Sequence, residues 1–328
     1  MNIKYLRSSS ISTYQDCQFK YFLEYVLSLP SPSGKKAMLG TIVHHVLELM
    51  AKASKVSNMG KSRDPIYLLE ICWERYIKEE KAFELTDADR RFCKRTIDKV
   101  VDSVYNPLGL KVIDIEKQFR LPVLCEGFDY TFYDVLSDEI STGNGELRGT
   151  MDLITELDKD TIEIIDWKTG RRNCWVTGKL KDYDYLFNND IQLRMYDLAS
   201  SILYPQYKHR LLTMHFVNQG GPFTVTFDDD ERNRTIEILS NHFNGILNNH
   251  HPSRIKEEKP KSSWKCNKVC SFGKEKASNG NCWCDNIFYY LVHNGIDKTI
   301  LKVDELRNQK TSDPKLVNLT SNRRNIFN

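Results

Sequence analysis

Apolar side chains recur at helical spacing over residues 10–29, with Ile11, Tyr14, Phe22 and Tyr25 on one side and Ser10 or Ser12 available as an N-cap. Pro30, Pro32 and Gly34 end that helix. Gly40-Thr41 opens a second one, whose Val43, Val46, Leu47 and Met50 are spaced for burial. The pattern stays helical over 64–105 and predicts Trp73, Tyr76, Ile77, Phe92, Ile97, Val100 and Val104 as core. Pro107 and Gly109 close the block. At 111 the period changes to two: Ile113, Ile115, Phe119 and Leu121 alternate with Asp114, Glu116, Gln118 and Arg120, as in a half-buried strand. Further strands are predicted at 128–135, 146–156 and 161–167, with Gly143-Asn144-Gly145 marking a turn. Residues 170–189 read as a polar, turn-rich loop, 190–204 and 231–248 as helices, 211–217 and 223–227 as strands. A last helix falls near 285–293, and a polar, loosely held tail follows from about 305. Helices, then strands, helix, strands and helix predict an α/β core built on a mixed sheet.

The 328 residues, 40% hydrophobic and 28% charged, suffice for one large domain or two modest ones. Lysine plus arginine (47) against aspartate plus glutamate (44) leaves +3, so charge alone marks no nucleic-acid partner. No stretch nears ~18 consecutive apolar residues, which excludes a transmembrane helix and predicts no membrane partner. Met1 to Ser10 is polar and carries Lys4 and Arg7, unlike a secretory signal, so an intracellular, cytoplasmic protein is expected. Of nine cysteines, Cys72, Cys93, Cys125 and Cys174 are scattered, whereas Cys266, Cys270, Cys282 and Cys284 crowd together. Inside a cell such a cluster suggests a metal before a disulfide.

The most informative stretch is Gly149-Thr-Met-Asp152, followed fourteen residues on by Asp166-Trp-Lys168. Residues two apart on a strand share a face, so Asp166 and Lys168 point the same way. Asp152, on the preceding strand of a hairpin, reaches that face if the register allows. Two carboxylates there would hold Mg²⁺ or Mn²⁺, and a lysine beside them can orient water and offset charge building on a phosphate. Glu116 lies on the polar face of an earlier strand. Gln192 and Tyr196, four apart, share one face of the next helix. His44 sits on an apolar helix. Each of these alone also describes a solvated strand end, a helix flank or a core histidine.

Taken together they resemble a family. Ser8-x-Ser10-x-x-x-Tyr14-x-x-Cys17, Gly40-Thr-x-x-His44, Glu116, Gly149-x-x-Asp152, Asp166-x-Lys168-Thr-Gly and Gln192-x-x-x-Tyr196 are similar, in order and spacing, to the RecB-like branch of the PD-(D/E)XK nucleases. The superfamily's proline is missing, Met151 standing before Asp152, as is common in that branch. The resemblance runs from about residue 8 to 285. It implies a restriction-endonuclease-like core, a mixed central sheet flanked by helices. It makes His44, Asp152, Asp166 and the Trp167 carbonyl the Mg²⁺ or Mn²⁺ ligands, with Glu116 a supporting acid. Lys168 would act on the attacking water, and Gln192 and Tyr196 would position lysine and DNA. All the usual positions are filled, which argues against an inactive relative.

AddB-like and CRISPR-associated members pair one cysteine before the core with three after it around a four-iron–four-sulfur (4Fe-4S) cluster. The matches here are Cys17, Cys266, Cys270 and Cys282 or Cys284, with Cys282 preferred. A zinc site built within 266–284 is the rival. The chain would then be one nuclease domain: a cysteine module of 1–34 plus 260–293, a helical insertion 35–110 carrying His44, a catalytic core 111–255 and a tail 305–328. Arg171, Arg172, Lys179 and Lys181, interleaved with Tyr183, Tyr185 and Phe187, suggest a path for DNA. The expected activity is a single-strand DNA exonuclease of recombination, repair or phage DNA processing, with a helicase or recombination partner. A structure-selective endonuclease and a non-catalytic DNA-binding subunit of a recombination or spacer-acquisition complex are the alternatives.

Overall fold

In the computed structural model, residues 1–31, 34–56, 64–79, 83–123, 127–174, 177–274 and 280–308 are described. The chain forms two units, Met1–Pro32 with Leu121–Leu147 and Glu237–Asn328, and Ser33–Arg120 with Arg148–Ile236. In the first unit, β1 (Tyr5–Leu6) precedes α1 (Ser8–Asp16) and α2 (Gln18–Tyr21), and Phe22–Val26 form a π-helical turn. The predicted helix over 10–29 is therefore interrupted at Cys17, which is extended at φ −156° and ψ 108°. Arg7 is the N-cap residue of α1, and Ser10 takes the third helical position instead. There its hydroxyl accepts from Arg7 N–H at 3.0 Å and donates to Arg7 C=O at 2.8 Å.

The second unit begins with α3 (Lys35–Ser54), α4 (Pro65–Glu79) and α5 (Asp87–Val101). The helical stretch predicted over 64–105 is thus two helices, the second started by Thr86, whose side chain accepts from Asp89 N–H in a capping box. Leu68, Leu69, Cys72 and Trp73 turn α4 inward, whereas Ile77, one turn beyond Trp73 near the end of the helix, is 49% exposed. Val104 lies past the end of α5 and is 82% exposed, not core.

Strands β2 (Val112–Pro122), β3 (Asp129–Asp134), β4 (Glu139–Asn144), β5 (Glu146–Asp158) and β6 (Thr161–Lys168) follow. Gly143-Asn144 is strand, not turn: Gly143 pairs with Tyr130, whose ring occupies the space a Cβ would need. The chain then continues through α6 (Tyr183–Asn189), α7 (Ile191–Leu203), β7 (His209–Phe216), β8 (Phe223–Val225) and α8 (Asp229–Leu247). Residues 183–189, predicted as loop, are helical because Asp182 caps them, accepting from Tyr185 N–H at 2.9 Å. Short helices α9 (Ile255–Glu258), α10 (Trp264–Lys268) and α11 (Ser271–Lys274) lead to α12 (Trp283–Asn308). That last helix is far longer than the predicted 285–293 and kinks at Gly295, φ 81°. It takes in residues 305–308 of the predicted tail 305–328; the rest of that tail, Pro32 and Cys125 lie outside the described residues.

In the second unit β5 pairs antiparallel with β6, β6 parallel with β7 and β7 antiparallel with β8, while β2 also pairs with β5. Strand β6 is central and buried on both faces, as its near-continuous Ile-Glu-Ile-Ile-Asp-Trp run requires. Ile165 and Trp167 pack into a core with Val43, Leu47, Trp73 and Ile97 of α3, α4 and α5. Asp166 and Lys168 face α7 instead. The result is a mixed sheet with helices on both faces. Among the described residues no helix is long and apolar enough to cross a membrane.

Candidate active site

The end of β6 meets the first turn of α7. Asp190 caps α7 by accepting from the N–H groups of Gln192 and Leu193, each at 3.1 Å. That cap aims Gln192 at the strand. Its Oε1 accepts from Lys168 Nζ at 3.1 Å, and its Nε2 donates to Asp166 Oδ1 at 2.7 Å and to Tyr196 Oη at 2.6 Å. Only this amide orientation suits an ammonium on one side and a carboxylate on the other. Tyr196, one turn on, donates its hydroxyl to Thr150 C=O at 2.5 Å. Lys168 Nζ also lies 2.5 Å from Asp166 Oδ2. Asp166 is 1% exposed, so its charge is held from behind by Lys168 and Gln192.

Asp152 stands one step beyond the Leu153–Ile165 pair, its Oδ2 accepting from Trp167 N–H at 3.0 Å. His44 Nδ1 lies 3.3 Å from the same oxygen. The approach depends on Gly40, one turn earlier in α3, because a Cβ there would meet Thr169 Oγ1 at 2.8 Å. Glu116 joins them through a break in its strand: φ is +47°, a conformation that side chains seldom adopt. His44, Glu116 and Asp152 each bring one ligand atom to within 4.8 Å of the others. They line a cavity of about 450 Å³ together with Glu48, Trp167, Lys168 and Thr169. Asp166, Gln192 and Tyr196 stand behind Lys168.

Glu48 and His45 were not singled out from sequence. Glu48 is four residues from His44 on the same helix, a spacing that places it over the cavity. Its carboxylate lies 3.6 Å from His45 Nε2 and 2.5 Å from Lys52 Nζ. The crowding of acids shows in their protonation. Burial, then Glu48 and Asp166, push Glu116 up to about 7. Burial, then Asp166, raise Asp152. Burial lowers His44, so its ring is neutral near pH 7. For Lys168, burial opposes the charge, but Asp166 and Asp152 outweigh it and the pKa rises.

The basic residues of the 170–182 segment divide. Arg172 donates to Gly220 C=O at 2.8 Å and lies 4.8 Å from the Phe223 ring. Lys181 pairs with Asp190 at 2.8 Å and sits over Tyr185. Arg171 and Lys179 are exposed and make no ion pair among the described residues.

In the first unit Cys17, Cys270 and Cys282 each bear on the thiols of Cys266 and Cys284. Burial, then Cys270, Cys17 and Cys282, raise the Cys284 thiol; burial, then Cys17, Cys270 and Cys282, raise Cys266. A Cβ on Gly273 would overlap the Cys266 carbonyl, so only glycine lets α10 and α11 close so tightly. Cys284 is 8% exposed, whereas Cys282 donates its S–H to Asp285 Oδ2 at 3.1 Å.

The mixed sheet flanked by helices and the strand-end carboxylates define a class. The sequence matches the PD-(D/E)XK nuclease superfamily over residues 8–273, and the chain belongs to it. One of the subunits forming the ATP-dependent helicase/deoxyribonuclease of Streptococcus uberis is 25% identical over 177 residues, 51% of this chain. The chain spans only 14% of that relative. A crystal structure of a candidate exonuclease from Eubacterium rectale aligns with 77% of this chain and 85% of its own, at 12% identity and a TM-score of 0.45.

Proposed function

We propose that this chain is a metal-dependent deoxyribonuclease that hydrolyses phosphodiester bonds, acting as an exonuclease on single-stranded or frayed DNA ends. The convergence of His44, Glu116 and Asp152 at one cavity, with Lys168 on its wall, carries the reading. Their donor set suits Mg²⁺ or Mn²⁺, hard ions that take carboxylate oxygen, the latter also tolerating imidazole. Acids pushed toward protonation by burial, and then by their neighbours, also fit a site that a cation completes. His44, Glu116 and Asp152, with the Trp167 carbonyl, would hold it, and Asp166, bonded to Lys168 in front of it, would join them only on releasing that lysine. A bound cation supplies activation of the attacking water and stabilisation of the leaving oxygen.

The protein's own groups do the rest. Neutral His44 keeps a lone pair available. Trp167 N–H fixes one oxygen of Asp152. Lys168, held charged by Asp166 and Asp152 and oriented by Gln192, places a cation where negative charge develops on a phosphate. Tyr196 anchors that arrangement to the backbone of Thr150. The relative's role as part of a helicase/deoxyribonuclease supports a helicase partner for this chain.

The test is digestion of end-labelled linear and circular single-stranded DNA with Mg²⁺ or Mn²⁺. Degradation of the linear form alone supports an exonuclease, and cutting of both an endonuclease. Asp152→Ala and Lys168→Ala should each abolish cleavage while the protein stays folded and binds DNA. Binding without cleavage by the unmodified protein would leave the non-catalytic subunit.

A second centre is supported by the thiol cluster. Cys17, Cys266, Cys270 and Cys284 would hold a four-iron–four-sulfur cluster, with Cys284 preferred to Cys282 because it is more buried. Anaerobically purified protein should be brown, with about four irons per chain. Cys17→Ser and Cys284→Ser should lose iron and Cys282→Ser retain it. Colourless protein with one zinc and a tolerated Cys17→Ser would assign the rival zinc site.

A further inference from the structure

The segment joining Lys168 to α7 carries a stack of rings that the chemistry above leaves unused. At its inner end is Arg194, 1% exposed and ion-paired with Glu231 Oε2 at 2.7 Å. Its guanidinium lies 4.9 Å from the centre of the Phe227 ring. Phe227 stacks on Phe187, centroids 5.5 Å apart and planes at 21°. Phe187 stacks in turn on Tyr183, at 6.5 Å and 7°. Tyr183 is 57% exposed, and among the described residues Phe187 is the ring it stacks on. Three nearly parallel rings therefore run from a buried cation to solvent.

The outer ring is fixed in place. Asp182 caps α6, and Arg194 donates to Phe187 C=O at 2.9 Å, so both ends of the short helix are tied. A ring already immobilised loses little entropy when a ligand stacks on it. The surrounding charge is mixed. Arg171 and Lys179 are unpaired among the described residues, while Asp182 and Asp184 are occupied in bonding Tyr185 N–H and Asn188. Lys181 is neutralised by Asp190. Such a surface offers a flat π-face on a segment that carries two exposed cations among charges of both signs, rather than a basic track along a duplex.

We infer that Tyr183 is a stacking platform for a nucleobase of single-stranded DNA, with Arg171 and Lys179 taking adjacent phosphates. The inference rests on the nuclease reading and deepens it by naming the side chain that selects unpaired bases. Bases in a duplex have their faces covered by neighbours, so a lone exposed ring selects unpaired ones. Thr169 and Gly170, which line the cavity, lead directly into the segment that carries the ring, and Asp190 at its end caps the helix of Gln192.

The experiment measures binding of the full chain, in chelator, to an oligonucleotide carrying 2-aminopurine and to a blunt duplex. Unmodified protein should quench the 2-aminopurine by stacking. Tyr183→Ala should weaken single-strand binding by roughly 5- to 100-fold and abolish the quench, with duplex binding and melting temperature unchanged. Tyr183→Trp should preserve both affinity and quench. Unchanged affinity and quench in Tyr183→Ala, or equal losses on single strand and duplex, would overturn the inference. If the unmodified protein still cleaves DNA with Mg²⁺, the nuclease reading survives that result. Absence of any metal-dependent cleavage by the unmodified protein would instead remove that reading and this inference with it.

Discussion

Gly149→Ala tests how tightly the site is braced from behind. A Cβ at Gly149 would lie 2.5 Å from Cζ and 2.7 Å from Cε1 of Phe119, where ordinary contact is 3.4–4 Å. The ring must therefore give by nearly 1 Å, which ranks as overpacking. It has little room, being 4% exposed and set edge-on against Tyr196 at 6.3 Å. Overpacking costs about 1–3 kcal/mol. The stiffer unfolded chain returns roughly 0.4–1 kcal/mol, leaving a net loss of about 1–2 kcal/mol. At ~2–4 °C per kcal/mol that lowers the melting temperature by about 2–8 °C. Tyr196 links Thr150 to Gln192 and so to Lys168, and cleavage should fall by roughly tenfold to a hundredfold through misplacement. Phe119→Leu, which shortens the obstructing ring, should be less than additive with Gly149→Ala by at least about 1 kcal/mol in urea titrations. A Gly149→Ala protein that melts like the parent, or a strictly additive double variant, would refute the reasoning.

Three further outcomes are expected. Gln192→Ala strips Asp166 Oδ1 of its 2.7 Å donor and should cost about 1–3 kcal/mol in chemical denaturation, with cleavage lost through disorder of Lys168 and no further loss when combined with Lys168→Ala. Glu116, held up to about 7 by burial and then by Glu48 and Asp166, is protonated below that pH, and a cation must displace the proton. Calorimetric Mg²⁺ or Mn²⁺ affinity should therefore rise with pH, up to roughly tenfold per unit, and level off above the Glu116 pKa; Glu116→Gln should flatten the profile. Charge reversal at Arg171 and Lys179 should lower the slope of log affinity for single-stranded DNA against log salt by about 1.4, whereas Arg172→Glu should act mainly on stability through Gly220 and Phe223.

Much of the second unit was legible because its strands and helices obey simple periods. The shared face of Asp166 and Lys168 follows from a period of two, and that of Gln192 and Tyr196 from helical spacing. What periodicity cannot express was missed. The resemblance named Glu116 and Cys17, but not the positive φ inside a strand through which Glu116 reaches the cavity, nor the extended backbone by which Cys17 breaks a helical run. Gly143 resembles a turn residue until the Tyr130 ring that needs its missing side chain is known. Charge is similarly ambiguous: Arg172 and Lys181 look like phosphate contacts in a sequence, yet Gly220 and Asp190 claim them. Glu48 was readable from its spacing to His44, but the apolar Val46 and Leu47 beside it drew attention to the core.

The first unit draws on both ends of the chain, and this has a consequence during synthesis. Asp16 waits for Lys265, 249 residues later, and Tyr14 and Gln18 for Gly245 and Ser253. At translation speeds of about 5–20 residues per second, that interval lasts roughly 12–50 s. During it the newborn α1 and α2 carry Ile11, Phe19 and Phe22 without the segments that later bury them. All strands of the other unit, which end at Val225, have by then left the ribosome. Nascent-chain vulnerability, to chaperone capture, aggregation or oxidation of Cys17, therefore belongs to the segment of α1 and α2 and ends only when the cysteine-rich segment emerges.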